Sequence, residues 1–162
     1  MSVEPDGSVR HEVVVNLPQD QAFWAFADLD RIKPREHNML AVPIEQTVLE
    51  QHAGGDVYDR GVDGSFCRWG RVLTFDPPNV IAFTWDIGPD WQVAADLTQA
   101  SEVEVTFTAE TDQRTCVILV HRHLDRHGQG FESMREGLNR GDGWPLYLDR
   151  YQSLTIGPSD RA

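Results

Sequence analysis

The fold is decided by residues 101–124, which read SEVEVTFTAETDQRTCVILVHRHL. Apolar and polar residues alternate over 101–110, which indicates a strand with one apolar face. The polar run TDQR at 111–114 predicts a turn, and the apolar run that follows predicts a second strand over 115–124. Two such strands joined by a short turn form an antiparallel pair, so we expect a sheet with one face toward a core.

Upstream of this hairpin, strand patterns recur between clusters of turn residues. Pro18 opens a short amphipathic helix, because proline suits the first helical turn. Residues 28–43 are then predicted to form a helical turn and a loop, and residues 88–100 are polar and irregular. The five further predicted strands cover residues 9–17, 44–51, 56–60, 66–75 and 80–87.

Downstream of the hairpin, apolar residues no longer recur at every second position but at the spacing of a helix, about 3.6 residues. Phe131, Met134 and Leu138 predict a helix that ends at the Gly-Asp-Gly run of 141–143, and a second helical segment is predicted over 144–156. The order of strand, helix, six strands and terminal helices predicts an α+β architecture, an antiparallel sheet with helices on one face.

The size and charge of the chain limit its organisation and partners. We expect one domain over residues 1–162, with flexible ends at 1–8 and 157–162, because 162 residues suit a single core. The formal net charge of −12, without any basic cluster, argues against nucleic-acid binding. The same charge disfavours an anionic membrane surface.

The sequence also bears on the cellular compartment of the protein. The chain has no run of about 20 apolar residues, as a membrane helix requires, and its first ten residues lack the apolar core of a secretory signal. We therefore expect a cytoplasmic protein. Cys67 and Cys116 lie in predicted strands and are interpreted as small buried side chains, since a cytoplasmic location disfavours a disulfide.

Several segments carry a family resemblance. The segment CRWGRVL at 67–73, followed by DPP at 76–78 and IAFTW at 81–85, is similar to a central hairpin of the SRPBCC or START-like superfamily. GWPLYL at 143–148 is similar to its GW-x-x-x-L motif. Within this superfamily, which includes the birch-pollen allergens and polyketide cyclases, the chain most resembles bacterial single-domain homologues of the heat-shock-protein-90 ATPase activator.

The resemblance implies a helix-grip fold, a curved antiparallel sheet of six to seven strands around a long C-terminal helix. It also implies a cavity that binds a small apolar or aromatic molecule. A cyclase- or hydrolase-like enzyme using this cavity and a co-chaperone-like protein-binding domain are the alternatives, and a homodimer and a chaperone contact are further partner hypotheses. Many relatives carry a tryptophan pair where this chain has Arg31-Ile32-Lys33.

Candidate ligand-binding residues follow from alternation along the strands, from the helical stripe and from position near strand ends. Trp91, in the irregular segment, is expected to matter less. The predicted site consists of His37, Tyr58, Trp69, Arg71, Trp85 and Met134.

Catalytic residues cannot be assigned, because the chain has no nucleophile elbow, P-loop or dinucleotide motif and Ser101 has no local partner. His37 with Glu36 or Asp59 could supply acid–base chemistry. His121 and His123, with His127 nearby, are the strongest metal candidates because residues i and i+2 of a strand share a face. No further ligand is fixed by spacing, so we predict no metal and no cofactor.

Overall fold

A seven-stranded antiparallel sheet forms the body of the molecule. The computed structural model describes residues 7–93 and 97–154, and the strand order is β1-β7-β6-β5-β4-β3-β2. The strands are β1 (Val9–Val15), β2 (Ile44–Leu49), β3 (Asp56–Gly61), β4 (Phe66–Asp76), β5 (Val80–Trp85), β6 (Ser101–Thr111) and β7 (Arg114–Arg122). The helices are α1 (Gln19–Ala27), α2 (Phe131–Asn139) and α3 (Trp144–Leu154), and short 3-10 turns cover Leu29–Arg31, Leu97–Gln99 and Leu124–His127.

This arrangement is the predicted helix-grip fold, and the alternation of β6 shows why it forms. Val103, Val105 and Phe107 are buried, whereas the intervening glutamates are partly exposed. In register, Val103 lies opposite His121 and Val105 opposite Leu119, so β6 and β7 present one continuous inner face. Burial of this face against the helices supplies the main driving force for folding.

The centre of the core is an aromatic cluster between α1, β6 and α3. The ring of Phe26 meets Phe107 and Tyr151 edge to face, with centroids 5.9 and 5.2 Å apart. The Tyr151 hydroxyl donates a 2.7 Å hydrogen bond to the Ala22 carbonyl oxygen, so α3 is fixed to α1 across the sheet.

The C-terminal helical region is interrupted as predicted. α2 ends at Asn139 and α3 begins at Trp144. The backbone at Gly143 lies directly against the Leu138 carbonyl, and a Cβ there would overlap it. Glycine is therefore required at this bend. The predicted end of the second helix at residue 156 and most of the predicted flexible ends lie outside the described residues, although Ser8 is described and buried.

An irregularity in the β3–β4 pairing decides which side chains face inward. Val57 pairs with Gly70, but Tyr58 pairs with Arg68, so Trp69 is an extra residue in β4. Such a β-bulge breaks the simple two-residue alternation. None of the helices within residues 7–93 and 97–154 has the length and apolar character needed to span a bilayer.

Candidate functional site

A partly open cavity of about 450 Å³ lies where the end of the sheet meets the junction of α2 and α3. Its walls come from three parts of the chain: the loop after the first 3-10 turn, the end of β5 with the loop that follows, and the α2–α3 junction. The lining residues fall within 33–39, 85–92 and 137–147. Loops and helix ends therefore form most of its boundary.

Aromatic rings form the apolar wall of this cavity. Trp144 stands between Trp85 and Tyr147, with ring centroids 5.2 and 5.0 Å away, and both pairs are edge to face. Trp91 reaches the cavity from the loop after β5 in a left-handed conformation with φ of 61°. Its ring lies against Gly137, where a Cβ would approach Cζ2 of Trp91 to 3.0 Å.

Lys33 is a buried polar part of the wall, and it forms an ion pair with Asp59, which does not line the cavity. The Lys33 ammonium lies 3.0 Å from Oδ2 of Asp59, and the two side chains are 2% and 0% exposed. Thr47 donates a 2.7 Å hydrogen bond to Oδ1 of the same carboxylate. Burial lowers the pKa of Lys33, and the Asp59 charge opposes that shift. The ammonium also lies 5.9 Å from the centroid of Trp69, at the distance of a cation–π contact.

The second polar feature is the pair formed by His37 and Tyr147. Nδ1 of His37 lies 3.0 Å from the Tyr147 hydroxyl oxygen. Burial and the nearby Lys33 charge lower the pKa of His37, and burial raises the pKa of Tyr147. Both shifts favour the neutral forms, so an uncharged imidazole and an uncharged phenol share this hydrogen bond at neutral pH.

The predicted site residues divide into three groups. His37 and Trp85 line the cavity. Trp69 lies behind its wall, with its ring 5.4 Å from that of Trp85, and Met134 belongs to the hydrophobic core. Tyr58 does not reach the cavity. Its ring packs 5.0 Å from that of Phe66, which is mostly exposed on the other face.

Arg71 also lies away from the cavity, and the bulge explains the difference. Simple alternation places residue 71 on the same face as Trp69. The extra residue in β4 shifts Arg71 into register with Asp56, which alternates with the inward-facing Val57. In β3 the inward polar residue is therefore Asp59, while Tyr58 points outward. The burial of this charged side chain depends on a partner far away in the sequence.

Most of the lining residues are not among the predicted site residues, and the ones that matter most to the argument are Lys33, Trp91, Trp144 and Tyr147. Lys33 is the only lysine in the chain, which was an available signal. Trp144 and Tyr147 lie on the apolar stripe of α3. A residue of the core and a residue of the cavity wall would both be apolar at these positions, so the sequence pattern does not distinguish them. Asp59, a proposed partner of His37, instead pairs with Lys33.

A hydrogen-bonded chain lies behind Trp144. The Trp144 indole N–H donates to Nδ1 of His121 over 3.1 Å, and Nε2 of His121 lies 2.7 Å from the Ser101 hydroxyl. That hydroxyl also lies 2.7 Å from Nε2 of His127. Because an indole N–H can only donate, His121 carries its proton on Nε2 and donates to Ser101, which donates to His127. Ser101 thus has partners 20 and 26 residues away.

This geometry also bears on the metal candidates. His123 has a φ of 63° beyond the end of β7, so it does not continue the alternation from His121. Burial, with the neighbouring His127, lowers the pKa of His121 to about 3. In the part of the chain that the structure describes, no three histidine, cysteine or acidic side chains come together as a metal site.

Comparisons with known proteins agree with the fold. The anthrahydroquino-γ-pyrone synthase Txn09 is 32% identical, with 91% of this chain and 96% of that chain covered and a TM-score of 0.63. The self-sacrificing resistance protein CalC from Micromonospora echinospora is 27% identical, with 93% and 94% covered and a TM-score of 0.66. CalU16 from the same organism, 19% identical with 98% and 84% covered and a TM-score of 0.57, shares the fold.

A search of curated proteins finds no match. The model of the family described as Activator of Hsp90 ATPase homolog 1-like protein matches residues 16–154, which include α1 to α3 and strands β2 to β7. This chain therefore belongs to that family.

Proposed function

We propose that the protein binds a small planar aromatic molecule in the cavity at the α2–α3 junction. The observation that carries this proposal is the aromatic wall formed by Trp85, Trp91, Trp144 and Tyr147 around about 450 Å³. Small-molecule sites usually have such a size and an apolar wall with few polar groups. Burial of apolar ligand surface gains about 25 cal/mol per Å², less the cost of ordering the ligand.

The 32% identity to an anthrahydroquino-γ-pyrone synthase supports a fused-ring ligand. We therefore choose 9,10-anthraquinone as the probe. It is flat and uncharged, so stacking and edge contacts with tryptophan would dominate its binding.

The test compares two tryptophans of nearly equal exposure. Trp91 lines the cavity and is 46% exposed, whereas Trp24 is 45% exposed on α1 and is not part of the cavity wall. By calorimetric titration, we expect Trp91→Ala to weaken anthraquinone binding about fivefold to tenfold, the equivalent of one lost aromatic contact. Trp24→Ala should bind like the parent. Absence of binding to the parent, or equal affinity of the two variants, would contradict the proposal.

A ring-closing enzyme is the second candidate, supported by His37 together with the identity to that synthase. A neutral imidazole can accept a proton from a reacting phenol. A suitable substrate is an aryl 1,3-diketone with an ortho phenol: the phenol oxygen bonds to the distal ketone carbon, one water leaves, and a γ-pyrone forms. We expect the turnover rate of the His37→Phe variant to be at least about a hundredfold lower than that of the parent. Equal turnover by both proteins would exclude this role.

A further inference from the structure

Lys33 is the feature of the cavity that an apolar site does not require. It is the only lysine of the chain, and it lies in the cavity wall with its side chain almost fully buried. Removing an ammonium group from water is costly unless other groups replace its hydration. The hydrogen-bond partners of Lys33 therefore indicate which kind of ligand group its ammonium could bind.

The partners of Lys33 can be counted. An ammonium group carries three N–H donors. One donates to Oδ2 of Asp59, and another donates to the His37 backbone carbonyl. Thr47 occupies the other oxygen of the Asp59 carboxylate. Within residues 7–93 and 97–154, Lys33 thus has two acceptors for three donors, and the Trp69 ring centroid lies 5.9 Å from the ammonium.

We propose that the remaining Lys33 N–H binds an ionised single oxygen of the ligand, a phenolate or an enolate, so that the site selects hydroxylated planar aromatics over plain ones. This inference rests on the proposed binding function and names its ligand class. A single N–H matches one oxygen. The planar fork of an arginine, in contrast, presents paired donors that match the two oxygens of a carboxylate or phosphate.

The surrounding charges are compatible with an anion at this position. Asp59 is directed at Lys33 with both oxygens already hydrogen-bonded, and His37 is held neutral by burial and by Lys33 itself. Charges on the exposed rim are screened by water, unlike the buried ammonium. The other charged or titratable groups around Lys33 and the cavity are Arg35, Glu36, Cys67, Arg140, Asp142 and Tyr147.

The test uses 2-hydroxyanthraquinone with 9,10-anthraquinone as its matched control. Ionisation of the hydroxyl shifts the visible absorbance, so the bound compound reports its own protonation state. We expect the parent protein to lower the pH midpoint of this ionisation by at least about one unit relative to the free compound. By linkage, the ionised form then binds at least about tenfold more tightly than the neutral form.

The matched variant is Lys33→Met/Asp59→Asn, which removes both charges and leaves no buried carboxylate without a counter-ion. Its folding is checked by cooperative thermal unfolding. We expect it to lose the midpoint shift and to bind the two compounds equally. If this variant does not fold, an unchanged or raised midpoint in the parent protein still refutes the role of Lys33.

The outcomes separate the two proposals. If neither compound binds the parent, the proposed function fails and this inference fails with it. If both compounds bind but the midpoint is unchanged or raised, the binding function stands and the role of Lys33 is refuted. A shift that persists in the double variant would also refute that role, because another group would then be its source.

Discussion

His121 makes the stability of this fold sensitive to acid. Burial lowers its pKa to about 3, whereas 6.5 is the ordinary value in an unfolded chain. Below pH 6.5 the unfolded state therefore takes up a proton that the folded state refuses. The full contribution to stability is present above pH 6.5 and is lost as the pH falls from 6.5 toward 3. Between pH 7.5 and 4.5 the loss is about 2–3 kcal/mol, close to two pH units at about 1.4 kcal/mol each.

The perturbation that tests this is His121→Gln. A glutamine side chain can accept from Trp144 and donate to Ser101 as the imidazole does, but it does not titrate. Urea unfolding followed by circular dichroism, at pH 7.5 and 4.5, gives the acid-induced loss for each protein. We expect the parent to lose about 2–3 kcal/mol more than the variant, since titrating groups that do not interact with His121 cancel in this difference.

The matched control is His52→Gln, which replaces an exposed histidine on the β2–β3 turn. It should lose as much stability on acidification as the parent does. Equal acid-induced losses for the parent and His121→Gln would refute the reasoning, because His121 would then not be a buried neutral group.

Four further substitutions test the packing. Val103→Ala should lower the free energy of unfolding by about 2–3 kcal/mol in urea titrations, whereas Glu104→Gln on the outer face should change it by less than about 0.5 kcal/mol; equal costs would mean that the strand faces are misassigned. Gly137→Ala should displace the Trp91 ring and red-shift tryptophan emission, and an unchanged spectrum would contradict that contact. Tyr151→Phe should cost about 1 kcal/mol in thermal unfolding through its lost hydrogen bond, and no change would show that the bond contributes nothing.

The sheet could be predicted from the sequence because its signals are local. Alternation in 101–110 and turn residues at 111–114 are visible without knowledge of any distant partner, and the structure has the corresponding strands β6 and β7. The interruption at Gly143 was equally visible, because a Gly-Asp-Gly run seldom continues a helix.

The cavity was harder to predict because its geometry depends on distant pairing. The bulge beside Trp69 comes from the register between β3 and β4, and it moves Arg71 to the outer face. Asp59 is buried only because Lys33, 26 residues earlier, reaches it. The left-handed backbone at Trp91 brings a side chain from an irregular segment to the cavity.

The interruption between α2 and α3 separates two tasks within one small chain. The aromatic cluster around Phe26, Phe107 and Tyr151 holds the sheet to the helices, while loops and helix ends form most of the cavity boundary. Exchanging side chains at exposed positions of that boundary costs little folding free energy, because such positions contribute least to the core. A lineage built on this architecture can therefore acquire new ligands through a few boundary substitutions while its hydrophobic core stays intact.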